Sequence, residues 1–192
     1  MGALSKIVVM RSTTTRPADA TAYAAGDEVS NHATAGSVVR ATFDLSGFSR
    51  GTIIAAQLDL AAATSNVVTV ASDFELLLFK TALVPAAVGD NVTHPIAAAA
   101  RALAGAFRFD DTGWAGPLGT VAAGTSQIQM VGAHVVQPLA TNVPQYPWPR
   151  GLPFEFLQGE TSSLTAVIRA LAAWTPLGVI NTFGITLDIE VE

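Results

Sequence analysis

Residues 183–191, with the sequence FGITLDIEV, decide the fold of this chain. Apolar side chains at Ile185, Leu187, Ile189 and Val191 alternate with polar side chains between them. Strict alternation with a period of two predicts a β-strand that has one face in a core and the other toward solvent. Because this strand is the last element of the sequence, we expect that end of the chain to be held in a sheet.

Strand patterns also occur upstream of this stretch. Residues 39–45 and 54–60 alternate in the same way and predict two more half-buried strands. Residues 73–79 are apolar at both odd and even positions, so we expect a strand with both faces covered. Residues 164–173 suit a strand, but their alanines suit a helix equally well. Further strand candidates are residues 4–10, 67–70, 106–109, 120–122, 128–136 and 154–157.

One short helix is predicted near 96–104. This stretch is rich in alanine, with Thr93 as an N-cap, Pro95 near the first turn and Gly105 just past the end. The many short strands and the Gly/Pro turns between them predict a mainly β chain. We expect an antiparallel β-sandwich with a jelly-roll-like arrangement.

The N-terminal part differs from the rest in the size of its side chains. Residues 12–22 contain Thr, Ser and Ala but almost no large apolar side chain. They cannot bury enough surface to offset the entropy lost on ordering. We therefore predict that residues 1–22 form an extended N-terminal segment, mobile from residue 12 in the isolated protein. With no repeat or composition break after it, residues 23–192 should form a single β-sandwich domain.

The chain carries few charges for its size. Charged residues are 13% of it, against about 25% in an average soluble domain, and the mean hydropathy is +0.43. We expect much of its surface to meet other protein, in a homo-oligomer. The net charge of −5 and the lack of a Lys/Arg cluster argue against a nucleic-acid partner. No stretch has the pattern of a transmembrane helix, so no membrane partner is expected.

No set of residues has the spacing of a metal or cofactor site. The chain has no Cys, and His32, His94 and His134 lie in different segments without acidic partners at ligand spacing. Asp110 and Asp111 resemble the start of a calcium loop, but the later acidic ligands are missing and a turn is the better interpretation. We predict that the protein binds no metal and no organic cofactor.

Four carboxylates are candidate catalytic groups. Asp44, Asp59, Asp73 and Glu75 lie on or beside different predicted strands. A glycosidase needs two such groups about 5–10 Å apart across a cleft, whereas outward-facing acids on strands are usually only solvated. The chain is therefore predicted not to be an enzyme, with a glycan hydrolase as the enzymatic alternative.

Three aromatic residues are the candidate partner-binding residues. Trp114, Tyr146 and Trp148 are the large aromatic residues of the region between Asp111 and Arg150, which has no charged residue. Interfaces between proteins are enriched in aromatic residues and depleted of charge. Ordinary packing and stacking on a sugar are the other two interpretations of these rings.

The order of several motifs resembles that of tailed-bacteriophage head decoration (capsid cement) proteins. The resemblance covers most of the chain from Tyr23 onward. It rests on residues 23–31 (YAAGDEVSN), a strand with Phe43, residues 51–58 (GTIIAAQL), residues 74–79 (FELLLF), residues 89–91 (GDN), residues 152–154 (LPF) and the turn at Thr175 and Pro176. It implies a β-sandwich that oligomerises, often as a trimer, on the outer capsid surface with the major capsid protein as partner. It carries over no catalytic residue.

The leading hypothesis from the sequence is thus a structural virion protein that clamps neighbouring capsid subunits. The alternative is a carbohydrate- or receptor-binding β-sandwich module of a phage tail or fibre, which would expose aromatic rings on a concave face. A glycan hydrolase comes third, since it needs the paired carboxylates described above.

Overall fold

The structure, a computed structural model, describes residues 6–62, 73–94, 103–109, 126–132, 151–176 and 181–191. These residues form eleven strands and two short 3₁₀ turns. The strands are β1 (Lys6–Arg16), β2 (Asp27–Val29), β3 (Thr42–Asp44), β4 (Arg50–Ala62), β5 (Phe74–Lys80), β6 (Val92–Thr93), β7 (Leu103–Phe109), β8 (Ser126–Gly132), β9 (Leu152–Glu155), β10 (Ser163–Ala170) and β11 (Asn181–Val191), and the turns are Ala35–Ser37 and Thr81–Leu83.

The strands are arranged in two antiparallel sheets. In the first sheet the order is β1-β11-β4, and both β8 and β9 pair with the remaining edge of β4. In the second sheet the order is β6-β2-β10-β5-β7, and β3 lies beyond β2 along the same edge of β10. Among the described residues, no helix is long and apolar enough to cross a membrane.

The strand pairs are nested, which gives the molecule the order of a jelly roll. The first strand pairs with the last, β1 with β11, and the next pairs inward are β2 and β3 with β10. Inside these lie β4 with β8 and β9, and then β5 with β7. One long hairpin of paired strands, folded over into two sheets, produces this order. The prediction of a mainly β, jelly-roll-like sandwich is confirmed.

The core lies between the two sheets and is built from alternate residues of their strands. Alternate residues of β11, from Asn181 to Val191, are buried, while Thr186, Asp188 and Glu190 lie on the other face. This is the alternation that the sequence predicted. The two-sided burial predicted for β5 is also confirmed: Leu76 and Leu78 belong to the main core, and Leu77 and Phe79 belong to a second cluster on the other face.

The structure bears on three sequence-based predictions. Residues 6–16 are extended, but they form a strand paired with β11 along its whole length and not a separate arm. Residues 163–170 are a strand, because β10 lies between β5 on one side and β2 and β3 on the other. Of the helix near 96–104, residues 96–102 lie outside the described residues, and Leu103 and Ala104 already belong to β7. The strands predicted at 67–70 and 120–122 also lie outside the described residues.

Candidate interaction surfaces

The outer face of the second sheet is covered by the chain itself. Leu77, Phe79, Ala106 and Val167 form an apolar cluster on this face, and Val84 from the segment after β5 packs against it. The same segment then forms β6, which pairs with β2. The apolar part of this face is therefore already buried.

A row of alternating charges crosses the same face. Glu28, Arg169, Glu75 and Arg108 are neighbours in the register of β2, β10, β5 and β7. Arg169 donates a hydrogen bond to Glu75 Oε2, and Arg108 Nη2 lies 2.9 Å from Asp73 Oδ2. Opposite charges in cross-strand positions stabilise a sheet. These charged groups therefore stabilise the sheet, and each of them has an ionic partner.

Glu28 also fastens the covering segment to the sheet. Arg40 donates two hydrogen bonds to its carboxylate, from Nε at 2.8 Å and from Nη2 at 2.7 Å. Arg40 Nη1 donates a third, at 2.6 Å, to the carbonyl oxygen of Pro85. Burial raises the pKa of Glu28, although the hydrogen bonds and charge of Arg40 favour its ionised form. The pair thus links β2 to the segment that lies over the sheet.

His94 lies beside this ion pair and is the buried histidine of the described chain. Its Nε2 is 3.8 Å from Glu28 Oε2, and neither ring nitrogen has a hydrogen-bond partner. Burial, together with the positive charges of Arg40 and Arg169, lowers the pKa of His94 to about 4. The ring is therefore neutral at pH 7. Within the described ranges, no group of three His, Cys, Asp or Glu residues could hold a metal ion.

A second buried network joins segments that are far apart in the sequence. Tyr23 donates a hydrogen bond to Asp90 (2.6 Å to Oδ2) and accepts one from Arg16 Nε at 3.1 Å. The Ser30 amide donates to Asp90 Oδ1 at 2.8 Å, and Trp174 stacks on the Tyr23 ring at 5.0 Å. Burial raises the pKa of both Tyr23 and Asp90. The phenol therefore stays protonated at pH 7, and its hydrogen bonds join three segments of the chain.

The outer face of the first sheet is different, because its apolar side chains are open to solvent. Ile7 and Val9 on β1 are 62% and 52% exposed. They lie opposite Glu190 and Asp188 of β11. Within the described residues, β1 pairs with β11 on one side and has no strand on the other. This face and the adjoining edge of β1 are therefore the open candidate surface for a partner protein.

A shallow polar depression of about 240 Å³ lies in the same face. Gly184 of β11 contributes no side chain to it, and Arg11, Thr13, Gln57 and Asp59 are among the residues that line it. Gln57 Nε2 donates a hydrogen bond to Asp59 at 2.8 Å. Such groups can bind the hydroxyl groups of a sugar, but no aromatic ring lines the depression.

The four candidate catalytic carboxylates do not gather at one place. Asp59 lies on β4 in the first sheet, whereas Asp44 and Glu75 lie on strands of the second sheet. Asp73 and Glu75 each pair with an arginine. Asp44 accepts a hydrogen bond from the Ser46 amide, which lowers the pKa of this exposed carboxyl. These residues form no pair of carboxylates across a cleft.

The predicted partner-binding residues Trp114, Tyr146 and Trp148 lie outside the described residues, as do His134, Asp110 and Asp111. His32 is exposed and accepts a hydrogen bond from the Thr34 amide. The sequence analysis missed the exposed pair Ile7 and Val9. The available signal was the uninterrupted apolar run at residues 7–10, which has no polar side to face water.

Comparisons with known proteins give no family for the chain. No family model and no curated protein matches it. Solved structures with some similarity include a chain of the cyanophage Pam1 capsid asymmetric unit (12% identity, covering 100% of this chain and 89% of that chain, TM-score 0.36). Others are Desmodium yellow mottle tymovirus (12% identity, 100% and 86% covered, TM-score 0.26) and the decameric BFDV capsid protein (12% identity, 97% and 99% covered, TM-score 0.27).

Proposed function

We propose that this chain is a structural protein of a virion. The observation that carries the proposal is the nested strand order around a core filled with apolar side chains. Jelly rolls serve as viral capsid, lectin and cupin domains. A lectin or a cupin needs a concave site with converging polar groups or metal ligands, whereas a capsid component needs stable surfaces for other subunits. The buried charged groups of the described residues hydrogen-bond to other segments of the fold and do not converge on a cleft. This favours a capsid component over a lectin or a cupin.

More specifically, we propose that the protein decorates the outer capsid surface of a tailed bacteriophage and bridges its major capsid subunits. The resemblance of its motifs to head decoration proteins and its charged fraction of 13% support this role. A homotrimer is the assembly we favour, since three-fold positions recur on such capsids. Trp114, Tyr146 and Trp148 are the proposed contact residues, because aromatic side chains are common interface anchors.

Binding to capsids that lack this protein tests the role. The purified protein is mixed with such capsids and sedimented at low and high salt, and cryo-electron microscopy locates it on the lattice. A largely uncharged contact predicts less than about a tenfold loss of affinity over a tenfold rise in salt. Alanine at Trp114, Tyr146 and Trp148 should abolish sedimentation with capsids, and Leu157→Ala, at an exposed position, should not. Absence of the protein from the lattice contradicts the proposal.

The carbohydrate-binding alternative rests on the polar depression around Gly184. A glycan array probed with the purified protein separates the two functions. We expect no specific glycan signal. A glycan that binds the protein but not its Asp59→Asn variant would favour a receptor-binding module instead.

A further inference from the structure

The edge of β1 is unusually long and open for a sheet edge. Eleven residues of β1 pair with β11 from Lys6↔Val191 to Arg16↔Asn181, without a register shift. Half of the backbone N–H and C=O groups of such a strand point away from its neighbour, as a template for another strand. In the part of the chain that the structure describes, nothing pairs with them.

Among the described residues, the other sheet edges are shorter than β1 or interrupted, and the longest strands at these edges, β7 and β8, have seven residues each. At one edge of the second sheet, β6 has two residues. At the opposite edge, the pairing of β7 with β5 has a register shift between Leu78 and Phe79. In the first sheet, β9 has four residues and includes Pro153, which has no N–H to donate. Short strands, bulges and prolines are the usual protections of an edge, and residues 7–10 of β1 have none of them.

Along residues 7–10 of β1, the apolar side chains on both faces of the sheet are incompletely covered. Val8 and Met10 point toward the core but are only partly buried, and Ile7 and Val9 point outward and are exposed. An added strand would cover all four side chains, provided that it is apolar on both of its faces. The chemistry of the occupant is therefore an uncharged run of at least four apolar residues in extended conformation.

We propose that this occupant is β1 of a second copy, paired antiparallel about a two-fold axis that passes through Val8. Residues 7–10 themselves are such a run, so β1 of one copy fits the edge of β1 in another copy. Pairing of identical strands about a two-fold axis is isologous and closes with two copies. The result is one continuous sheet that joins the first sheets of both copies.

The register follows from the faces and the charges. In a continuous sheet, paired residues must lie on the same face, so the two-fold axis passes through a residue. An axis through Val9 would place Ile7 opposite Arg11, and an axis through Met10 would place Val9 opposite Arg11. An axis through Val8 instead places Val8 opposite Val8 of the second copy and Ile7 opposite its Val9, so that both exposed side chains have apolar partners. In this arrangement Lys6 lies opposite Met10, so no charge meets a like charge. A register centred on Arg11 would instead place Arg11 opposite itself and Lys6 opposite Arg16, and like charges directly opposite each other destabilise a sheet.

The inference does not depend on the capsid proposal, because it concerns the isolated protein in solution. It is also compatible with a trimer: three two-fold contacts between a pair of trimers give a closed hexamer with D3 symmetry. A dimer or such a hexamer is expected in sedimentation velocity. A monomer or a lone trimer would overturn the proposal.

Single cysteines test the register directly, since the chain has no cysteine of its own. Opposite residues of antiparallel strands have Cα atoms about 4.5–5.5 Å apart, which is within the range that a disulfide spans. On oxidation with diamide, Val8→Cys should form a covalent dimer by itself. Ile7→Cys and Val9→Cys should each stay uncoupled alone but form a disulfide-linked pair when mixed. Thr13→Cys, on the same exposed edge but beyond the paired stretch, should not couple.

A charge at the contact tests the same interface without covalent chemistry. Val9→Lys should dissociate the dimer, or split the hexamer into trimers, because it sets a charge against Ile7 of the second copy. Val39→Lys is the matched control, since Val39 is 71% exposed and lies outside β1. Far-UV circular dichroism should show that both variants are folded. Retention of the assembly by Val9→Lys, or coupling of Ile7→Cys alone as fast as the mixture, would overturn the proposal.

Discussion

At the residue scale, the buried polar groups of this protein are held by partners from distant parts of the chain. Tyr23 and Asp90 are 67 residues apart, and Arg40 bonds to Glu28 and to the carbonyl of Pro85. No local pattern in the sequence marks such pairs, because they form only when the register of the strands and the path of the covering segment are set. The sequence analysis therefore assigned none of these residues to a buried network.

The hydroxyl of Tyr23 lies between two buried charged groups, so its removal should be costly. Tyr23→Phe removes the hydrogen bond from Arg16 Nε to the hydroxyl and the one from the hydroxyl to Asp90 Oδ2. A lost hydrogen bond to a charged group costs about 1.5–3 kcal/mol, and we expect a reduction of that order in the free energy of unfolding, measured with urea at pH 7. Thr182→Val, which removes a hydrogen bond between exposed hydroxyls, should cost much less. Equal losses in the two variants would contradict the network.

His94 should make the stability depend on pH. Its pKa is about 4 in the folded protein and near 6.5 in an unfolded chain. The neutral His94 ring thus makes its full contribution to the stability of the folded state above pH 6.5. This contribution is lost as the pH falls from 6.5 to 4. By linkage, the loss is on the order of 2–3 kcal/mol. His94→Phe removes the titration, so its free energy of unfolding should fall less over this range.

Urea unfolding between pH 4 and 7 measures this difference, with His32→Gln as the control because His32 is exposed. Glu28 and Asp90 act in the opposite direction, since burial raises the pKa of each. Their ionisation destabilises the folded state, so their contribution improves as the pH falls. Glu28 and Asp90 are present in the unaltered protein, in His94→Phe and in His32→Gln. The difference between these proteins in how the free energy of unfolding changes with pH therefore reports the imidazole of His94. Parallel curves for His94→Phe and the unaltered protein would show that the ring is not buried in this way.

At the element scale, the strands that the sequence predicted well are those whose own residues decide their environment. Apolar and polar residues alternate along β11, and β5 has apolar residues on both sides. Each pattern therefore indicates which faces of the strand are buried. The two interpretations of residues 164–173 could not be separated locally, because the neighbours β2, β3 and β5 make that segment a strand. Likewise, nothing in the polar residues 12–16 indicates that β11 is available to pair with them.

The segment that covers the second sheet depends on one glycine. A side chain at Gly89 would overlap the carbonyl oxygen of Ala33, next to the hydrogen bond from the Asp90 amide to His32 (2.8 Å). Gly89→Ala should therefore lower the free energy of unfolding by about 1–3 kcal/mol, the usual cost of overpacking. Gly36→Ala is the control, since nothing lies within 4 Å of the added carbon. A melting temperature of Gly89→Ala equal to that of the control would mean that the two loops are not in contact.

At the scale of the whole molecule, the scarcity of charge and the open face of the first sheet are the basis of the proposed assembly, and no group of three His, Cys, Asp or Glu among the described residues could hold a metal ion. A chelator should accordingly leave the melting temperature unchanged, as measured by calorimetry with and without EDTA. Loss of a bound ion lowers the stability of a folded protein by mass action. A fall of several degrees would identify a cation site, with Asp110 and Asp111 as the first residues to replace.

The place of β11 in the first sheet determines when this protein can fold. Although β11 is the last strand in the sequence, it lies between β1 and β4, and the hydroxyls of Thr15 and Thr182, 3.1 Å apart, belong to residues separated by 167 positions. Contacts at such separation must overcome a large loop-closure entropy and form slowly. During synthesis, β1 therefore has no partner until the ribosome has released residues 181–191. A chain that terminates early lacks the strand that joins β1 to the rest, so incomplete chains should be left unfolded and fail to compete for places in an assembly.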